Sequence, residues 1–477
     1  MLRSARMGPH VAPARWAEFG RRLRARRRAA GLTQAELGRR VGYHHSLISR
    51  LEAGERAPSP ELLRRLERLL GAGGPLGPDD APDVTRDLAS GGFTVTSPTS
   101  LGLTLFAVSP GSASLDLPTA DLGRHWPSRL PVAGVTCPVH PQRECAVPAA
   151  GDAVAVLPSL RASGSPAARP GRDVDLAHSL AALLAAFSQA SVVDCSVDLV
   201  GAVERVLQLV VRWLRAAQAV GEPAPVQLRL AAGYAQLAGR MRMHRGQNVL
   251  AMAWLGHGMQ WAELANDVAA RVCLLTDVCT LARLDEDAPS VVSYALGLGA
   301  IDPRRGWVAT LSHLYQARGY AGSADLVAAR RHATAARRGL ARLDERDLVE
   351  APWLAGEGGV LRIESSVAGA LRDLSARTGD AALARQAGHA TRRSLAVLPT
   401  SMRPTYLLLQ LRLADSLACA GDVDGAVAEA APVAVEVLAA RRAPLTRELA
   451  GLRARLQRWR EVTAVRELEE RLATAAV

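Results

Sequence analysis

From Asp173 onward, roughly two thirds of this 477-residue chain reads as one helix after another, rich in Ala, Leu and Arg and interrupted only by short Gly-Asp or Gly-Gln steps. That pattern leaves few folds open. Each amphipathic helix must cover its neighbour's apolar side, so helix pairs are expected to stack into a curved solenoid whose concave face is an extended groove. Three breaks share a ruler: Gly319 precedes Ala324, Gly379 precedes Ala384 and Gly421 precedes Ala426, each by five residues. Such spacing is expected where helices cross closely and only small side chains fit. The fold class read from this pattern is all-α. Trp254, Trp261, Trp307 and Trp353, with His244 and His257, are read as packing between helices rather than as ligand anchors.

The formal net charge of +12 is unevenly placed, because Met1 to Leu70 holds 16 Arg against 6 Glu. A positive field of that density attracts polyanions, either nucleic acid or an anionic membrane surface. All 58 basic residues are arginine. Without lysine, a Walker phosphate loop, a Schiff-base enzyme and a kinase-type site each lack the residue their chemistry requires. No Ser-His-Asp grouping, paired catalytic carboxylates or HExxH run can be placed, so neither enzymatic activity nor a cofactor is expected. Met1 to Ala17 lacks the apolar core of a signal peptide, and no later stretch runs 18 residues without polar interruption, which predicts a cytoplasmic protein. Six irregularly spaced cysteines, among them Cys195, Cys273, Cys279 and Cys419 in apolar helical stretches, read as reduced, buried thiols.

The spacing divides the chain into an N-terminal tail (1–14), a four-helix module (15–71), a Pro/Gly/Ser-rich linker (72–172) and the helical repeat domain (173–477). In the module, Phe19 and Leu23 share one face of a first helix that ends at Gly31. Thr33 and Glu36 form a capping box for a second helix carrying Ala35, Leu37 and Val41. Gly42 breaks it. A third helix from about His44 to Ala53 buries Leu47, Ile48 and Leu51 and stops at Gly54. Pro58 and Pro60 then introduce a fourth with Leu62, Leu63, Leu66 and Leu69.

This run, LRARRRAAGLTQAELGRRVGYHHSLISRLEAGERAPSPELLRRLERLLG, resembles the XRE, or lambda-repressor-like, helix-turn-helix family. It shares the Gly-Leu-Thr-Gln opening of helix two, the Ile-Ser run of helix three and the Glu-x-Gly ending. The resemblance implies a third helix in the major groove of double-stranded DNA and a second helix across the backbone. By position it implies Thr33 and Gln34 on phosphate at a helix N-terminus. It makes His45, Ser46 and Arg50 base readers on a recognition helix opened by His44, with Arg50 forking onto a guanine edge, and it sets Ser49 and Arg56 on the backbone. Arg27 and Glu52 match a family ion pair that serves as scaffold. His44 after Tyr43 departs from the Ser or Thr usual at that position.

In the linker, GGFTVTSPTSLGLTLFAV alternates as a short hairpin would. TCPVHPQREC places Cys137, His140 and Cys145 close together. Zinc would take such ligands given a fourth donor, with His125 the candidate, yet the spacing matches no strong zinc template. The reading adopted is a Pro-rich loop with incidental cysteines and no assigned metal.

LLLQLRLADSLACAGDVDGAVAEAAPVAVEVL resembles a tetratricopeptide repeat, with Ala414, Leu417, Gly421 and Ala426 at its small and turn positions. Together the two segments resemble XRE regulators with tetratricopeptide-type sensor domains, a group with many actinobacterial members. The combination implies a homodimer on two DNA half-sites about one helical turn apart. It also implies a peptide, small-molecule or protein effector in the repeat domain, acting through unequal affinity for two conformations. The competing readings are a tetratricopeptide-type scaffold whose helix-turn-helix is a protein contact, and an enzyme using the middle segment.

Overall fold

The computed structural model describes residues 14–41, 45–54, 58, 60–70, 117, 119–130, 135–140, 144–162, 170–193 and 196–475. They form two compact units, the first holding the N-terminal helices and the second all described residues from Leu117 on. The hairpin expected within 91–108, and Cys195, lie outside the described residues.

The first unit is α1 (Ala14–Ala29), α2 (Gln34–Val41), α3 (His45–Glu52) and α4 (Pro60–Leu70). Phe19, Leu23, Leu32, Leu37, Val41, Ile48, Leu51, Leu62 and Leu66 make its core. Ala35 is a correction: it is exposed, since α2 is short and turns only Leu37 and Val41, four residues apart, inward. Gly31 (φ 68°) and Gly54 (φ 71°) take the left-handed conformation as α1 and α3 end, where a residue without Cβ is favoured.

The second unit begins with α5 (Thr119–Gly123), a two-residue antiparallel pair of β1 (Arg129–Leu130) and β2 (Cys145–Ala146), and α6 (Ala150–Ala162). α6 is a helix of 13 residues inside the segment read as a Pro/Gly/Ser-rich linker. It buries Ala153 and Leu157, four residues apart, but its small residues and a Pro blur the periodicity. α7 (Pro170–Val193) follows. Residues 173–193 reach a mean hydropathy of 1.6, enough for a membrane span by composition, yet 72% of the window is buried inside the unit.

The helices then run α8 (Val197–Ala219), α9 (Pro225–His244), α10 (Asn248–Leu264), α11 (Val268–Leu284), α12 (Ala288–Ile301), α13 (Gly306–Gly322), α14 (Leu326–Leu340), α15 (Glu345–Glu350), α16 (Gly356–Thr378), α17 (Ala381–Ala396), α18 (Arg403–Ala420), α19 (Val423–Ala430), α20 (Ala434–Ala439), α21 (Ala443–Leu456) and α22 (Thr463–Ala475). The all-α class holds, with a repeat-like series of helix pairs. N-caps at Gln247, Asp267, Asp287, Arg305 and Asp325 recur every 18–20 residues. A pair therefore takes about 40 residues, longer than the 34 of a tetratricopeptide unit.

Five of the turns share one design. A residue with positive φ precedes an Asp whose carboxylate caps the next helix: Asn266–Asp267, Glu286–Asp287, Ala324–Asp325, Gly379–Asp380 and Gly421–Asp422. The five-residue ruler gains a different meaning here. Gly379 and Gly421 are C-caps in open space, while Ala384 and Ala426 are buried. Gly319 and Ala324 exchange those roles: a Cβ on Gly319 would lie 2.6 Å from Val292 Cγ2, whereas Ala324 occupies the left-handed turn.

The expected open groove is corrected. Helices α9, α11, α13, α16, α18 and α21 each touch the next, and α21 touches α9 again, so the inner layer closes on itself. Arg442 donates to the carbonyls of Ser191 and Val192 at 2.8 and 3.0 Å, and Arg447 pairs with Glu286 at 2.5 Å, tying late helices to early ones. These inner helices also share a buried network of charged side chains. Arg372 Nη1 donates to Asp415 and Glu448, both at 2.6 Å, and its Nη2 lies 2.8 Å from Asp373. Arg412 donates to Glu448 at 2.9 Å, Arg318 lies 3.2 Å from Asp373, and Arg455 pairs with Asp415. Burial pushes the Glu448 carboxyl up, but Arg372 and Arg412 outweigh it and hold the group well below its usual range. Gly369 makes room for this network, because a Cβ there would fall on the Arg318 guanidinium.

Candidate nucleic-acid interface

The helix-turn-helix is fixed by one buried carboxylate. Glu52 at the end of α3 accepts from Arg27 of α1 (Nε at 2.5 Å, Nη2 at 3.0 Å) and from Gln34 Nε2 of α2 at 2.8 Å. Arg27 also donates to the Leu32 carbonyl at 2.7 Å. Burial works against the Glu52 charge, but hydrogen bonds from Arg27 and Gln34 lower its pKa below the ordinary carboxylate value; the same bond raises that of Arg27. Three helices are thereby locked in register. The scaffold role expected of Arg27 and Glu52 is what the geometry provides, and Gln34 joins them.

The capping box is present and reciprocal: the Glu36 amide donates to Thr33 Oγ1 at 3.2 Å, and the Thr33 amide donates to Glu36 Oε2 at 2.8 Å. Thr33 and Gln34, expected on phosphate, are thus both held by intramolecular bonds at the N-terminus of α2. Ser49 and Arg50 are exposed on α3. His45 and Ser46 open that helix, but their side chains, and the whole of His44 and Arg56, lie outside the described residues. Arg28 and Arg40 add exposed positive charge, Arg24 is exposed but lies 3.8 Å from Glu52, and Arg21 and Arg22 are partnered by Glu18.

Sequence reasoning missed Gly20, where a Cβ would sit 2.6 Å from the carbonyl oxygens of Leu51 and Glu52. This glycine lets α1 press against the end of α3. Its signal was available, since a Gly inside an otherwise helical pattern usually has a packing reason.

In the second unit the tryptophans pack. Trp307 is fully buried, donates Nε1 to Glu350 at 2.9 Å and meets Trp353 edge-on; Trp254 donates to Glu204 at 2.9 Å, and Trp261 is buried. Burial, with Arg240 and Arg442 nearby, pushes His244 down to about 3, which keeps it neutral. A recess of about 650 Å³ between α13 and α14 is lined by Thr310, His313, Arg331, Arg338 and Arg342. Cys137, His140 and Cys145 do converge, but their fourth neighbour is His178 of α7 rather than His125.

No curated protein and no solved structure matches the chain. Residues 18–76 match the family model described as a helix-turn-helix domain, and this segment is a helix-turn-helix DNA-binding domain.

Proposed function

We infer that the chain is a sequence-specific transcriptional regulator of the XRE type. The observation that carries this is the exposed Ser49–Arg50 edge of α3, held in register by the Arg27–Glu52–Gln34 cluster. α3 is the reading helix, and Arg50 is the residue suited to a guanine edge. The active species is a homodimer on paired half-sites in the cytoplasm, and the protein is a regulator rather than an enzyme.

The helical unit acts as the sensor, in the manner of tetratricopeptide-type domains although its pairs are longer. Its effector is an anionic small molecule or acidic peptide. Both the α13–α14 recess and the closed interior carry arginines in excess of carboxylates, which supports that choice.

The test is selection of genomic DNA fragments by the purified full-length protein at two salt concentrations. A compact palindromic motif that persists at the higher salt is the expected result. Diffuse binding that vanishes with salt would reflect phosphate contacts alone and would favour a scaffold whose helix-turn-helix contacts protein.

A further inference from the structure

We propose that Cys137, His140, Cys145 and His178 bind a structural zinc ion that fastens the β1–β2 segment onto α7. One ligand atom from each residue lies within 4.8 Å of every other. Tetrahedral zinc, with Zn–S near 2.3 Å and Zn–N near 2.0–2.1 Å, needs neighbouring donors about 3.3–3.8 Å apart. The observed separations straddle that range: His140 Nδ1 is 3.2 Å from Cys145 Sγ and 3.9 Å from Cys137 Sγ. Closing the set onto an ion requires shifts of a few tenths of an ångström to about 1 Å.

Two further observations point to a ligand. His178 Nε2 is buried and has no hydrogen-bond partner, a position whose cost a coordinate bond to zinc would remove. The His140 amide donates to Cys137 Sγ at 3.2 Å, an outer hydrogen bond of the kind that orients metal-ligating groups. Two thiolates and two neutral imidazoles balance the charge of a divalent ion. With all four positions supplied by protein, the site is closed and therefore structural.

The segment has need of such a clamp. Its ladder is two residues a side, and an isolated hairpin is marginally stable at best. Apart from the four donors, the described polar ties include Arg229 Nη1 to the Pro138 carbonyl at 2.9 Å and Trp126 Nε1 to the Pro148 carbonyl at 2.5 Å. Zinc would bridge Cys137, His140 and Cys145 to His178, 33 residues beyond Cys145, within one compact unit. The proposal is independent of the DNA-binding reading.

The test is metal analysis of the full-length protein purified under reducing conditions without chelator, followed by exchange of zinc for cobalt. One zinc per chain is expected, with a cobalt form showing thiolate-to-metal charge transfer and the intense visible bands of a tetrahedral site. Cys137→Ser and His178→Ala should each abolish stoichiometric zinc, whereas His125→Ala should retain it. If the first two variants fail to fold, the metal content and cobalt spectrum of the unaltered protein still decide. Absence of metal with no cobalt spectrum, full zinc in His178→Ala, or a Cys137–Cys145 disulfide in the reduced preparation would each overturn the proposal.

Discussion

At Glu52 a single carboxylate holds three helices, and its removal should be felt in all of them. Glu52→Gln leaves the Arg27 guanidinium buried with only the Leu32 carbonyl as a full partner, and breaking a buried pair in this way costs about 3–5 kcal/mol. Amide hydrogen exchange in the full-length chain should show loss of protection in α1, α2 and α3 together; loss confined to α3 would refute the locking role. The pH dependence has a fixed sign. Because the folded pKa of Glu52 is depressed, its contribution is complete above the ordinary carboxylate value near 4.3 and fades as pH falls through the folded value. Protection of α1–α3 should therefore collapse in acid for the native protein and change less in Glu52→Gln. Gly20→Ala acts at the same junction by steric means. A Cβ 2.6 Å from two carbonyl oxygens cannot be absorbed by a flexible side chain, so a loss of about 1–3 kcal/mol is expected, read as reduced α1 and α3 protection. For DNA, Arg50→Ala should cost about 1–3 kcal/mol at one base pair, while changes at Gln34 should weaken all sites alike. Equal losses for Arg50→Ala on specific and random DNA would remove it as a base reader.

Among the elements, the turns carry the clearest lesson about what is legible in a sequence. Gly31, Gly54, Gly379 and Gly421 were readable as helix ends because glycine advertises a left-handed position, and all four adopt one. Asn266, Glu286 and Ala324 take the same conformation without that sign, so their turns were not read from the sequence, where only the capping Asp267, Asp287 and Asp325 mark them. The capping box at Thr33 and Glu36 was visible because it is local. His178 was not, because a lone histidine in an apolar helix carries no mark of the cysteines it meets in space. The turn chemistry also makes a paired prediction. Left-handed backbone costs an L-residue roughly 1–2 kcal/mol, so Ala324→Gly should raise the Tm of the helical unit and Gly421→Ala should lower it by a comparable amount. Calorimetry on both variants checks this, and shifts of the same sign would contradict it.

On the scale of the whole helical unit, closure turns what would be a binding face into an interior, and the charges enclosed there decide how the unit responds to its surroundings. Arg283, Arg318, Arg372, Arg412 and Arg455 surround Asp373, Asp415 and Glu448. Arginine is in excess: five guanidinium groups face three carboxylates, and Arg372 Nε has no hydrogen-bond partner. Burial lowers the pKa of Arg318 and Arg283, the mark of cations short of compensating charge. Removing one more carboxylate should expose that imbalance. Glu448→Gln leaves Arg372 and Arg412 without their shared partner, and a loss of about 3–5 kcal/mol follows for a broken buried pair. Contacts of Arg442 with Ser191 and Val192 join the two ends of the circuit, so the loss should appear as a lower midpoint of one cooperative transition. If multivalent anions enter the interior, phosphate should raise the midpoint more than chloride at equal ionic strength, and should raise it most in Glu448→Gln. An equal response to both salts would mean that the arginines are satisfied within the protein, leaving the α13–α14 recess as the site for the anionic effector proposed above.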